Sequence, residues 1–266
     1  MAYTLIGKDF TPPDVHGKVT GKAKYAEDFK VEGMLYARLL TSPIPHARIV
    51  RLDVSKALQM EGVVAVLTAD DVPEMPNLGN PILTNEPAYV GDPILAVAAV
   101  DEQTAEDAIE AIDFIFEPLP FVVDPLKSLQ PGGPHARIQG NVGNSTMREE
   151  FRSIHWTDDE FASLANNQLP QGEAAREWTV GDLEAGFDQA DYILDESFVT
   201  ASYSHNSMEP RSAMAYWENG KCFLYGSSQS QSFPVPGLAA YIGIEPENLV
   251  FVAEFCGGGF GSKGGP

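Results

Sequence analysis

The sequence predicts an α+β protein of two domains joined by an irregular segment. Three observations lead to this class. Short apolar strands alternate with helical patterns between residues 17 and 125. A proline- and glycine-rich stretch, Gln130 to Pro134, then interrupts that pattern. A hairpin, a helix and an apolar strand follow between residues 213 and 253. We therefore place a first domain at 1–130, an irregular linker at 131–179 and the beginning of a second domain at 180–266.

The elements of the first domain follow from apolar spacing and from residues that break regular structure. Apolar runs predict strands over 34–40, 47–54, 63–67, 94–100 and 113–117. The clearest helix is 101–112, because Ala105, Ala108 and Ile112 recur at helical spacing and most acidic side chains point the other way. Thr68 is expected to cap a further short helix.

The second domain has a short helix over 183–189 and an alternating, strand-like segment over 192–202. Residues 213–217 and 222–225 predict a hairpin around Asn219-Gly220, a pair that accepts positive φ. A helix over 236–244, ended by Gly243, and a buried strand over 249–253 complete this part.

Composition narrows the function classes. The net charge is −21, and only 17 of the 266 residues are Lys or Arg. No basic stripe is present to neutralise phosphates or an anionic membrane surface, so a nucleic-acid partner is not expected. No apolar run is long enough for a membrane span, and the N-terminus lacks a signal-peptide pattern. Two cysteines without zinc or disulfide spacing favour a reducing cytoplasm.

A glycine-rich loop at the end of the sequence is its most informative segment. Cys256 to Lys263 reads Cys-Gly-Gly-Gly-Phe-Gly-Ser-Lys and follows the apolar run 249–253. Successive glycines leave the backbone bare, so that N–H groups can approach a bulky, electron-rich ligand without a Cβ clash. Phe260 favours the same interpretation, because a large apolar ring costs solvation unless it packs against something. The alternative is a flexible terminal loop.

Two nucleotide-binding motifs match this loop only in part. Gly259 to Gly264 has G-x-G-x-x-G spacing, but a dinucleotide fold needs a helix next and an acidic residue about 20 positions on. A phosphate-binding P-loop needs glycine before the lysine, where Ser262 stands. A fragment of a nicotinamide-dependent dehydrogenase therefore remains an alternative.

Two other segments carry polar groups that suit a site. His205 to Arg211 contains an imidazole, a carboxylate and a guanidinium, which fits a metal or acid–base site. The alternative there is a surface loop with a local ion pair between Glu209 and Arg211. Gln229 ends a strand and precedes a helix, where its amide could bind a ligand oxygen. The other histidines have no partner at ligand spacing and are expected to be structural or exposed: His16, His46, His135 and His155.

Five segments together resemble the large, molybdenum-binding subunit of the xanthine dehydrogenase/aldehyde oxidase family. Residues 17–47 resemble the opening of its α/β hammerhead domain, and residues 89–120 resemble the end of that domain. His205 to Pro210 resembles a family loop of His-x-x-Met-Glu-Pro type. Ser228-Gln229 and Gly257 to Gly261 resemble its first two cofactor-contacting loops, and the 31 positions from Gln229 to Phe260 match the family spacing.

The resemblance implies a molybdopterin cofactor, with or without an appended cytosine dinucleotide. Its molybdenum is held by the pterin, and no protein side chain binds the metal directly. Carried over by position, Gln229 would donate its amide to an oxygen ligand of the metal, and the backbone N–H of Phe260 or Gly261 would do likewise. The Phe260 ring would wall the site. Gly258 and Gly259 would leave room for the wide cofactor.

The family hydroxylates carbon with oxygen from water and passes electrons to 2Fe-2S clusters and FAD, on partner subunits or other domains. Its catalytic glutamate lies beyond the glycine loop, so we expect no catalytic residue in this chain and a base on the remaining part of the subunit. Purine-oxidising members carry glutamate where Gly264 stands. An aldehyde, an N-heterocycle or a related carbon centre is therefore expected as the substrate. The alternative class is an acidic, soluble interaction module without a cofactor.

Overall fold

Two compact units make up the protein in a computed structural model that describes residues 4–72, 81–128, 178–194 and 203–265, with 134, 159, 162, 196, 198 and 200. One unit comprises Met1–Met34 with Ser202–Pro266, and the other comprises Leu35–Ala201. The predicted linker, 131–179, lies outside the described residues except for a few positions. The domain boundaries near 130 and 180 therefore stay a prediction.

Short helices and strands alternate along the described chain. In order they are α1 (Val15–Val19), β1 (Tyr36–Thr41), β2 (Ala47–Asp53), α2 (Ser55–Leu58), β3 (Val63–Leu67), β4 (Pro93–Ala99), α3 (Glu102–Glu110), β5 (Asp113–Pro118), α4 (Pro125–Ser128), α5 (Leu183–Asp188), β6 (Ala213–Glu218), β7 (Lys221–Gly226), α6 (Val235–Ile242) and β8 (Leu249–Val252). Single 3-10 turns lie at Ala26–Asp28, Ala69–Asp71 and Pro246–Asn248. This mixture confirms the α+β class.

The unit of residues 35–201 is organised around β4. This strand lies between β1 and β3 in an antiparallel sheet, and β2 pairs with β5 in a separate antiparallel ribbon. Ile94, Leu95 and Val97 of β4 are buried in one cluster with Ala108 and Ile112. The apolar face of α3, which the sequence predicted, therefore packs on this sheet. Asp101 begins that helix by accepting a 2.7 Å hydrogen bond from the N–H of Thr104.

The other unit contains the predicted hairpin and a strand–helix–strand crossover. β6 and β7 are antiparallel neighbours, and the turn between them has φ of 50° at Asn219 and 77° at Gly220. β8 then pairs with β7 in parallel, with Leu224 opposite Phe251. A crossover through α6 connects the two, as parallel neighbours require. Gly243, with φ of 77°, ends α6 as expected.

The N-terminal residues 4–34 contribute aromatic contacts to this second unit. The ring of Phe29 lies 4.5 Å from that of Tyr225 on β7, measured between centroids. The ring of Tyr25 lies 6.1 Å from that of Phe255, just after β8. These contacts join the beginning of the sequence to the region that precedes the glycine-rich loop.

The predicted strand over 192–202 is not formed at the positions of this segment that the structure describes, which are 192–194, 196, 198 and 200. Tyr192 is 79% exposed and Phe198 is 84% exposed, so these two side chains are not buried against a sheet. The other positions of the segment lie outside the described residues. In the described ranges, no helix combines the length and the apolar character that a membrane crossing requires.

Removal of a β4 side chain should test the position of the core. Leu95 is fully buried, so Leu95→Ala is expected to lower the free energy of unfolding by about 2–5 kcal/mol through lost burial and a residual cavity. Leu67 on β3 is 49% exposed, and Leu67→Ala should cost less than about 1 kcal/mol. Denaturant unfolding followed by circular dichroism measures both. Equal losses in the two variants would contradict this core.

Candidate cofactor site

The candidate site lies at the carboxyl ends of β7 and β8. Because the two strands are parallel neighbours, these ends meet at the same edge of the sheet. β7 ends at Gly226, three residues before Gln229, and β8 ends at Val252, shortly before the glycine loop, which we define as Cys256–Lys263. Segments that α6 separates in sequence are thereby brought together. This edge is also where open α/β sheets bind their ligands.

Gln229 is hydrogen-bonded to the end of the glycine loop through both its side chain and its backbone. Its Oε1 accepts from the N–H of Gly261 at 2.9 Å and from the N–H of Lys263 at 3.3 Å. Its own N–H donates to the carbonyl oxygen of Lys263 at 2.9 Å. Because both side-chain partners are donors, the carboxamide oxygen must face the loop. Gln229 is exposed, and its NH2 group has no partner among the described residues, so this group is available to a ligand.

Two glycines of the loop are required by contacts within the chain. A Cβ at Gly259 would lie 2.4 Å from the Cδ of Gln229, and a Cβ at Gly257 would lie 2.5 Å from the Cβ of Glu209. Real Cβ atoms do not approach other atoms this closely. The sequence predicts that a wide cofactor excludes side chains from this loop. The structure gives a reason within the chain itself for the absence of side chains, because Gln229 and Glu209 pack directly against the glycine backbone.

Phe260 has an unusual backbone conformation. Its φ is 52°, in the left-handed region that bulky residues rarely adopt, and its residue surface is 74% exposed. Such strain is concentrated at functional sites. The N–H of Gly261 is occupied by Gln229, whereas the N–H of Phe260 has no acceptor among the described residues. Of the two backbone donors expected from the sequence, that of Phe260 is therefore the one without an acceptor in the described part of the chain.

A buried ion pair lies behind the loop. The Nζ of Lys263 is 3.0 Å from Oε2 of Glu209, and the two side chains expose only 2% and 7% of their surface. The same Nζ donates to the backbone carbonyl of Glu209 at 2.7 Å. The N–H of Gly257 donates to Glu209 Oε2 at 2.6 Å, and the N–H of Ala26 donates to Oε1 at 3.4 Å. The alternative of a local Glu209–Arg211 pair is therefore wrong.

Opposing effects set the pKa of Glu209. Burial by itself raises the pKa, because it penalises the charged carboxylate. The hydrogen bonds from Gly257 and Lys263 favour the charged form and outweigh the burial, so the pKa lies below its ordinary value. Glu209 is consequently an ionised structural acceptor at neutral pH.

The described histidines form no metal site, although His205 in the His205–Arg211 loop was a candidate. His205 is exposed, and its Nε2 lies 3.7 Å from the point that a Cβ on Gly261 would occupy. His16 is exposed, whereas His46 is buried and its Nδ1 donates to the carbonyl of Pro120 at 2.7 Å. His135 and His155 lie outside the described residues. No group of three His, Cys, Asp or Glu side chains suited to a metal ion occurs in the described part.

The Glu209–Lys263 pair was missed from the sequence, although one indication was present. Lys263 is the only basic residue after Lys221, and it stands among glycines and serine. A lysine that becomes buried in such a loop needs a counter-ion, because buried lysines are almost always paired. Only the fold shows that this counter-ion comes from the His205–Arg211 loop.

Family models match both parts of the chain. The model of the aldehyde oxidase and xanthine dehydrogenase a/b hammerhead domain matches residues 20–120, and that of the molybdopterin cofactor-binding domain matches residues 165–266. The chain belongs to the xanthine dehydrogenase/aldehyde oxidase family and corresponds to a part of its molybdenum-binding large subunit.

Named relatives agree with this assignment. The chain is 33% identical to a probable xanthine dehydrogenase subunit of Bacillus subtilis strain 168, over 94% of this chain and 31% of the relative. It is 29% identical to the nicotinate dehydrogenase large molybdopterin subunit of Eubacterium barkeri, over 98% of this chain and 56% of the relative. The chain thus spans about a third to a half of these proteins.

Solved structures show the same fold. Quinoline 2-oxidoreductase from Pseudomonas putida 86 aligns with a TM-score of 0.72 at 25% identity, over 97% of this chain and 31% of that one. The Cu,Mo-CO dehydrogenase aligns with a TM-score of 0.70 at 26% identity, over 97% of this chain and 32% of that one. The predicted hammerhead domain and molybdopterin-binding domain are therefore confirmed.

Alanine at Gly259 should displace Gln229 without unfolding the protein. The new Cβ would meet the outer atoms of the Gln229 side chain, which can rotate away. The N–H of Gly261 would then lose its acceptor, and its hydrogen exchange should accelerate about tenfold. Gly265→Ala is the matched control, since its Cβ would meet nothing within 4 Å. Unchanged exchange at Gly261 in Gly259→Ala would contradict the contact.

Acid should remove the contribution of Glu209 to stability. Its folded-state pKa lies below the ordinary 4.5, so this contribution is complete above 4.5 and is lost as the pH falls through the folded-state pKa. Unfolding free energies of the wild type and Glu209→Gln should therefore differ by a constant amount from about pH 8 to about pH 5 and converge below that range. A difference that widens in acid would show that the sign is wrong.

Proposed function

We propose that this chain is the front part of the large subunit of a molybdenum hydroxylase, an oxidoreductase in which it helps to bind molybdopterin. The observation that carries the proposal is a pair of N–H donors at the glycine loop that have no acceptor among the described residues. One is the NH2 group of Gln229, whose carboxamide is oriented by Gly261 and Lys263. The other is the N–H of Phe260, which is held in a strained backbone conformation.

These donors suit a group that presents oxygen atoms to the protein. Two N–H donors on neighbouring segments can hold an oxygen ligand in a fixed direction. This arrangement is stabilised within the chain. Gln229 is hydrogen-bonded to the loop, and Gly259 has no Cβ that would block the approach of Gln229. Gly258 has φ of 104° and continues this turn of bare backbone. The donors are therefore oriented before any ligand arrives, which is the condition for effective electrostatic stabilisation.

When bound, the molybdenum cofactor supplies a metal that accepts two electrons during hydroxylation of carbon with oxygen from water. The residues of this chain would bind the cofactor and orient it. Gln229 would donate to an oxygen of the cofactor, and the N–H of Phe260 would donate from the opposite segment. The exposed Phe260 ring would cover one side of the site and exclude water there. The general base would come from the remaining part of the large subunit.

The finer assignments follow the family resemblance. We propose that the cofactor is molybdopterin or its cytosine dinucleotide form, and that electrons leave through an iron–sulfur (2Fe-2S) subunit and an FAD subunit in the cytoplasm. Because Gly264 stands where purine-oxidising members have glutamate, an aldehyde, an N-heterocycle or a related small molecule is the proposed substrate class. Domain boundaries at 1–130 and 180–266 belong to the same proposal.

Replacement of Gln229 should lower turnover and spare the fold. In the complete enzyme complex, Gln229→Ala is expected to lose about 2–4 kcal/mol of transition-state stabilisation, or about 30- to 1,000-fold in kcat/KM. The matched control is Gln103→Ala, which removes an exposed glutamine from α3. Both variants should keep the wild-type circular dichroism spectrum. Wild-type turnover by Gln229→Ala would overturn the assigned role.

Two measurements on the native complex and one on the purified chain separate this function from its alternatives. Elemental analysis should find molybdenum in proportion to the large subunit, and mass spectrometry of the released cofactor should identify the pterin and any nucleotide. A complex without molybdenum would favour the acidic interaction module. Binding of NAD(P) by the purified chain would favour the nicotinamide-dependent alternative.

A further inference from the structure

Glu209 contacts both ends of the glycine loop. At the beginning of the loop, its Oε2 accepts from the N–H of Gly257 at 2.6 Å, and its own N–H donates to the carbonyl of Gly257 at 3.2 Å. At the end of the loop, its Oε2 and its backbone carbonyl both bind the ammonium of Lys263. One residue of the His205–Arg211 loop, with a buried side chain, therefore bridges the two ends of the glycine loop.

Lys263 transmits this constraint to Gln229 through its backbone. Its N–H donates to the Oε1 of Gln229 at 3.3 Å, and its carbonyl accepts from the N–H of Gln229 at 2.9 Å. The hydroxyl of Ser228 donates to the same carbonyl at 3.2 Å. The side chain of Lys263 thus binds Glu209, while its backbone binds the Ser228–Gln229 segment.

We infer that Glu209 and Lys263 are positioning residues, whose buried ion pair fixes the end of the glycine loop and so aims the NH2 group of Gln229. Neither residue needs to touch the cofactor or the substrate. Their effect on the reaction passes through Gln229. The inference rests on the proposed function of Gln229, but its geometric part can be tested without turnover.

Single replacements of this pair would mix two effects. Removal of one partner leaves the other charge buried without a counter-ion. This destabilises the fold, whether or not the orientation of Gln229 changes. The double variant Glu209→Gln/Lys263→Met avoids this difficulty. Both charges are gone, methionine fills most of the lysine volume, and the glutamine oxygen can still accept from the N–H of Gly257. Stability should then stay near the wild-type value, while the charged link between the two ends of the loop is lost.

The decisive experiment is a cycle of variants in the complete large subunit within its native complex. Hydrogen exchange of the 257–263 amides, molybdenum per subunit and kcat/KM are measured for the wild type, the Gln/Met double variant, Gln229→Ala and their combination. In the Gln/Met variant, we expect about tenfold faster exchange at Gly261 and Lys263 and about tenfold lower kcat/KM, with an unchanged thermal midpoint. In the Gln229→Ala background, the Gln/Met change should cause no further loss of kcat/KM.

Hydrogen exchange and kcat/KM also serve for the control variant and for the outcomes that would contradict the inference. Lys56→Met breaks an exposed 2.7 Å ion pair with Asp113 and should change neither loop exchange nor turnover. Wild-type exchange at Gly261 in the Gln/Met variant overturns the inference, and so do losses of kcat/KM that multiply with that of Gln229→Ala. If molybdenum is absent or Gln229→Ala is fully active, the proposed function fails. The exchange at Gly261 and Lys263 then still decides whether the ion pair orders the loop.

Discussion

The parallel pairing of β7 and β8 is the constraint on which the candidate site depends. Parallel neighbours end at the same edge of a sheet, and their connection must cross over. The residues after β7 and the residues after β8 therefore meet, although α6 lies between them in sequence. An antiparallel pairing of these strands would send the glycine loop to the opposite edge, away from Gln229. The meeting of the two loops is thus a property of the sheet.

At this edge of the sheet, hydrogen bonds fix the conformation of the glycine loop. Glycine-rich backbone is intrinsically mobile, because glycine has the largest conformational freedom to lose on folding. Here that freedom is limited by contacts at three points, where the loop meets Glu209, Gln229 and Ser228. Glycine is needed for the close approach, and the approaching side chains then order the glycines. A glycine-rich loop can therefore be ordered in the folded protein.

The buried pair of Glu209 and Lys263 adds an electrostatic element to this arrangement. Desolvation of two charges is costly, and such pairs are weak stabilisers compared with apolar packing. Their better-supported use is to specify one arrangement among several, since any other placement of Lys263 would leave a charge buried alone. This preference for a single geometry is what a loop with aimed backbone donors requires.

Prediction from the sequence succeeded where local patterns decide the outcome. The hairpin turn at Asn219-Gly220 and the strand Val63–Leu67 were located closely, and the predicted helix over 101–112 is α3. It failed at the described positions of the 192–202 segment, where the alternating pattern forms no strand. It also failed at Glu209, where the nearest opposite charge along the chain, Arg211, is not the partner. Sequence separation is a poor guide to the partner of a charged side chain that is buried while its own loop is largely exposed.

The sequence by itself determined the α+β class, the family and the two loops that carry the candidate residues, because these depend on spacing, breaker residues and motifs. Only the tertiary structure decided which atoms of those loops are free. It orients the oxygen of Gln229 inward and its NH2 outward, and it leaves the N–H of Phe260 without an acceptor among the described residues. Hydrogen-bond partners are chosen by proximity in space, and residues distant in sequence become neighbours only when the sheet has formed.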